Sequence, residues 1–213
     1  MAIRNLIVAG VILLGLTACM SGFSGSGNPP MYYGLDYPYQ QMDCTHGFKA
    51  GLRIWPFSAS SPFDRQEMII LGASHKIRFS PRFRWVTLPG SMISDALHRD
   101  LAREQLFTQV VESVDPFSAP LEMGGHVYRF SWEESGSSAR AVLDLEVSLW
   151  SKEPKKEVLF HRHYHFESEP TSTQSSERFA DTMSSLVQRL SGQLRQDLCA
   201  SAISKGSLSP AGG

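Results

Sequence analysis

Three histidines alternate in the stretch EVLFHRHYHF: His161, His163 and His165. In an extended strand, alternate side chains share a face at a spacing of about 6.6–7 Å. Three imidazoles so placed could share a metal ion, with His126 or a carboxylate completing the shell. An exposed strand face on which histidine is simply polar explains the same pattern, and no second ligand cluster at recognisable spacing accompanies it. Other chemistry has less to start from. There is no G-x-S-x-G turn to expose a nucleophile, and the nearest Gly/Ser run is GFSGSG at 22–27. No G-x-x-x-x-G-K loop is present to cradle a phosphate. The paired carboxylates Glu133 and Glu134 fall in a turn-like segment, where acidic groups are ordinarily just solvated. The residues therefore predict no catalytic group, no cofactor and no resident metal.

The cysteines carry more. Cys19 closes the stretch LTAC, which follows an apolar run from Leu6 to Leu16 and precedes a Ser/Gly/Pro-rich segment. Eleven apolar residues are too few to cross a bilayer, which takes about 20. A basic start at Arg4, a short apolar core and small residues before a cut site describe a secretory leader. The order Leu-x-Ala-Cys resembles the bacterial lipobox, which implies cleavage before Cys19 and acylation of it. Two or more acyl chains anchor firmly where one is marginal. Met20, rather than Asp, at the next position resembles the outer-membrane sorting signal. Residues 1–18 are thus expected to be leader, and 19–30 a lipidated cysteine and flexible tether with a reach of roughly 18 Å. Cys44 and Cys199 remain. Export favours an oxidising compartment, and no C-x-x-C spacing suggests a metal. A Cys44–Cys199 disulfide is expected, with two unpaired buried thiols as the alternative.

Charge excludes one class of partner. The chain has 20 Lys and Arg against 21 Asp and Glu, and losing Arg4 with the leader makes that 19 against 21. Without a basic excess there is nothing to release counterions from nucleic-acid phosphate.

These groups need a frame. MYYGLDYPY (31–39) reads as a first strand whose four tyrosines half-bury against a sheet. FKAGLRIWPF (48–57) reads as a strand with Leu52 and Ile54 on one side, stopped by Pro56. A loop is expected over 58–65, then strands at EMIIL (67–71) and HKIRF (75–79). After TLPG, a helix capped by Ser91 carries Ile93, Ala96, Leu97 and Leu101 as one stripe and ends near Leu106. Arg99, Asp100, Arg103 and Glu104 fall off that stripe. FTQVV (107–111) leads into a strand. Tyr128, Phe130 and Trp132 share a face in HVYRFSW, and Ala141 to Leu149 alternate with Asp144, Glu146 and Ser148. With EVLFHRHYHF they make an antiparallel meander. A long helix, about 174–200, sets Phe179, Met183, Leu186, Val187, Leu190, Leu194 and Leu198 on one face. The expectation is one α/β (α+β) domain over 31–203: a mostly antiparallel sheet with two amphipathic helices on one face. Residues 204–213 read as a loose tail.

The order of these pieces resembles the ABC-type transport auxiliary lipoprotein family, whose members accompany transporters built around MCE-domain proteins. Tyr32, Tyr33 and Leu35 match its early strand, and Pro62, Asp64 and Arg65 precede Met68–Leu71 as in the family. Trp85, Leu97, Leu101, Phe107 and Val110 follow its pattern of Trp, Leu-x-x-x-Leu helix and Phe-x-x-Val. The resemblance runs over roughly residues 31–200; the His-rich strand and Gly34 depart from it. It implies a non-enzymatic lipoprotein on the periplasmic face of the outer membrane. Its partners would be an MCE-domain protein and its ABC transporter, with lipid or another hydrophobic compound as cargo. Exposed strand edges would allow a homo-oligomeric ring. Trp85 is expected in the core rather than at an interface. Two other readings are a lipopolysaccharide-assembly lipoprotein plugging an outer-membrane barrel, and a metal-dependent or hydrolytic envelope enzyme built on the histidine strand.

Overall fold

The computed structural model of the chain describes residues 28–44, 46–73, 76–152, 156–172 and 175–206. The expected leader, Cys19 and most of the tether lie outside these residues, as do residues 207–213. Among the described residues the chain forms one nine-stranded sheet and two helices. No described helix is long and apolar enough to cross a membrane.

The spine is β7, Leu121–Ser135. It pairs along its whole length with antiparallel β8 (Ser138–Ser151), and β8 pairs with antiparallel β9 (Glu157–Glu167). Gly136, at φ 62°, turns the first hairpin; a side chain there would be strained. The other edge of β7 receives three short strands end to end and parallel: β2 (Leu52–Ile54), β3 (Ser58–Ala59) and β4 (Glu67–Leu71). Beyond β4 come antiparallel β5 (Ile77–Trp85) and then β1 (Met31–Tyr33); beyond β2 comes β6 (Val110–Glu112). The sheet is mixed and mostly antiparallel. The segment 58–65, expected to be all loop, contributes β3.

Alternation sets the core. Ala141, Leu143, Leu145, Val147 and Leu149 are fully buried on one face of β8. Tyr128 does not join Phe130 and Trp132: a register shift between Val127 and Arg129 turns it outward, 41% exposed, while both others are buried. Helix α1 (Pro89–Leu101) and helix α2 (Ser176–Gly206) cover the apolar face. The expected stripe of α2, from Phe179 to Leu198, is buried and packs on β8, β9 and α1. Trp85 is 1% exposed, edge-on to Phe130 and Phe179 at 5.1 and 5.2 Å between centroids.

Helix α1 differs from its expected bounds at both ends. It starts at Pro89, whose fixed φ suits the first helical position, and Ser91 does not cap it. Gly90 lets this turn touch the Phe57 carbonyl, where an added Cβ would sit 2.1 Å from the oxygen. The helix stops at Leu101 because the next amides turn back on nearer carbonyls, Arg103 on Asp100 and Glu104 on Leu101, both at 3.2 Å.

Candidate functional site

Three arrangements of polar side chains could do something beyond filling space. The first is a strap. After β1 the chain leaves the sheet and crosses both helices, so the tyrosines of MYYGLDYPY do not all face a sheet. Tyr37 donates to Asp100 Oδ2 at 2.8 Å, and Ser191 of α2 donates to the same oxygen at 2.6 Å. Arg99 donates to Asp100 Oδ1 at 3.0 Å and lies over the Tyr37 ring. One turn further, Tyr39 donates to Glu104 at 2.7 Å, as does the Met42 amide at 3.2 Å. Arg195 of α2 pairs with Glu104, with side chains 4% and 5% exposed, and also donates to the Gln40 carbonyl at 2.8 Å. Burial and the neighbouring carboxylates hold the Tyr37 and Tyr39 phenols above their ordinary pKa, so both remain donors. The strap ends at Cys44, which is disulfide-bonded to Cys199 near the end of α2.

Asp100 and Glu104, expected off the apolar stripe, are thus interior groups. Nothing local in the sequence marks them as interior, because the tyrosines that satisfy them lie 63 and 65 residues upstream.

The second arrangement is the outer face of the β7–β8–β9 meander, where the structure sets the three histidines on one exposed face. His163 Nε2 lies 2.6 Å from Asp144 Oδ1, and His165 Nδ1 lies 2.9 Å from Asp144 Oδ2. His165 Nε2 also meets Glu167 at 3.2 Å. His161 bonds Ser148 at 2.8 Å. His126 is held apart between Ser58 and Ser60, each at 2.7 Å. His163 and His165 thus share Asp144, while His161 and His126 are bonded to serines. Among the described residues no group of three His, Cys, Asp or Glu side chains is arranged to hold a metal. The Asp144 hydrogen bond, opposed by partial burial, leaves the His165 pKa above its ordinary value. The face can change charge with pH through His165.

The third is an edge. Strand β9 is eleven residues long and, among the described residues, pairs only with β8. Its helix-facing side is fixed: Tyr164 donates to Asp197 of α2 at 2.8 Å, and Arg162 pairs with the same carboxylate. Its far backbone edge is open to a further strand.

The model of the ABC-type transport auxiliary lipoprotein component family matches residues 33–195. The chain belongs to this family. The match takes in the strap, nearly all of the sheet and most of α2. No curated protein matches the chain. Among solved structures, a Xanthomonas campestris protein is similar at 14% identity and TM-score 0.71, covering 84% of this chain and 98% of its own. A hypothetical protein of Chlamydia trachomatis is similar at 8% identity and TM-score 0.52, over 73% of this chain and 98% of its own. At these identities the likeness is one of fold.

Proposed function

We propose that this auxiliary lipoprotein is a non-enzymatic coupling part. Acyl chains on Cys19 hold it to the periplasmic face of the outer membrane, and its folded domain docks an MCE-domain periplasmic protein of an ABC-type transport system. The cargo of such a system is lipid or another hydrophobic compound. The observation that carries the reading is the family match over residues 33–195, which spans nearly the whole described domain. The LTAC sequence at 16–19 and the Gly/Ser-rich segment after it supply the anchor and the reach. The open edge of β9 supports docking by main-chain pairing, either to the partner or to neighbouring copies in a ring.

The test is a pull-down of the native protein from detergent-solubilised envelopes with mass spectrometry of what accompanies it. Recovery of an MCE-domain protein with its transporter subunits is the expected result. A large outer-membrane barrel in its place, or nothing at all, overturns the proposal. The ring is tested separately by light scattering: a monodisperse monomer at high concentration, alone and with the partner, removes it.

A further inference from the structure

Among the described residues, the two most exposed large apolar side chains lie on one loop. Val114 is 83% exposed and Phe117 62%, in the connection between β6 and β7. Such side chains singly are ordinary on a surface; what is unusual is how their loop is held. Arg53 of β2 reaches across and donates to four main-chain carbonyls, those of Glu112, Ser113, Asp115 and Phe117. The Asp115 carboxylate closes the turn by accepting from the Glu112 amide at 2.6 Å. A guanidinium has five donors in a rigid plane, and here most of them fix a loop whose apolar side chains touch little. Ordering that loop adds nothing to the core. It removes in advance the entropy that a binding partner would otherwise have to take out.

The surroundings select the partner. Val114 forms one wall of a cleft of about 110 Å³ whose other walls include Asp95 and Glu112. Among the described residues no Lys or Arg forms a salt bridge with Asp95 or Glu112; His98 lies 3.8 Å from the Glu112 carboxylate, and Arg53 is taken up by the main-chain carbonyls of the loop. Partial burial and the nearness of Glu112 hold the Asp95 carboxyl above its ordinary pKa, as expected of a carboxylate short of cations. The loop sequence SVDPFS contains no basic residue, so an anionic membrane surface would be repelled.

We infer that loop 113–118 is a preformed docking knob for a protein partner, seating Val114 and Phe117 in an apolar pocket rimmed by Lys or Arg. This contact surface is distinct from the β9 edge and does not depend on which transport system the chain serves.

The test uses the full-length chain in its own envelope, with a photo-crosslinking phenylalanine analogue at position 114, 117 or, as an equally exposed control on β9, 158. Expected is one protein adduct common to positions 114 and 117, mapping to an apolar segment flanked by Lys or Arg. Arg53→Ala should lower the adduct yield at 117 by roughly tenfold, the scale of the ordering cost returned to the loop. Phe117→Ser should abolish capture from 114 while leaving the melting temperature unchanged, which separates docking from folding. Adducts to lipid or to second copies of the chain overturn the inference, as do a crosslinked segment without basic residues and a yield indifferent to Arg53. Capture at 158 alone would leave edge docking standing and remove the knob.

Discussion

At the scale of single residues, the interior ion pair is the sharpest feature. Glu104 and Arg195 are both withdrawn from water, and each satisfies a carbonyl, an amide or a phenol of the strap as well as the other. Arg195→Met leaves Glu104 buried without its cation and should cost about 3–5 kcal/mol in chemical denaturation. Glu104→Leu combined with Arg195→Met should cost less than that single change, because no orphaned charge remains. The outer histidines behave differently. Asp144, shared with His163, and Glu167 both favour protonated His165, whose folded pKa lies above the ordinary 6.5. The stabilisation is therefore fully present below the ordinary histidine value and is lost as pH rises through the raised one. His165→Gln should lower the melting temperature at about pH 5 and leave it unchanged at about pH 9, by an amount equivalent to at most about 1 kcal/mol for so exposed a group.

At the scale of elements, the Cys44–Cys199 bridge joins ends 155 residues apart. Reduction, or Cys199→Ser, should remove about 2–5 kcal/mol, read as a drop in denaturation midpoint on adding reductant. Leu194→Ala, in the middle of the α2 stripe, should cost a comparable 2–5 kcal/mol by leaving a cavity. That stripe was plain in the sequence because seven apolar residues recur at helical spacing over a long segment. EMIIL was plain as a short unbroken apolar run, and β8 for the corresponding reason at period two. What was hidden depended on distant partners. The outward turn of Tyr128 comes from a bulge with no local signal. The burial of Asp100 and Glu104 comes from tyrosines some sixty residues upstream, and an isolated helix stripe cannot reveal a polar layer satisfied by another segment. The Arg53 clamp likewise looks, in sequence, like one polar residue of an alternating strand.

At the scale of the whole molecule, the chain is a sheet sealed on one face by helices and open at the other face, at the β9 edge and at the clamped loop. Surfaces of this kind suit a part held between others. Cys19→Ser, expressed with its leader, should shift the protein from the membrane fraction to the soluble envelope fraction with an unchanged melting temperature, since the proposed anchor lies outside the folded domain. The strap then has a mechanical meaning. A pull transmitted along the tether enters at β1, only three residues long, and would strip the segment up to Cys44 bond by bond. There the load meets a covalent link and passes into α2 and the core. Extension under tension is capped at about 50 Å, the contour of the fourteen residues from Met31 to Cys44. The domain can lengthen its leash under strain without surrendering its fold.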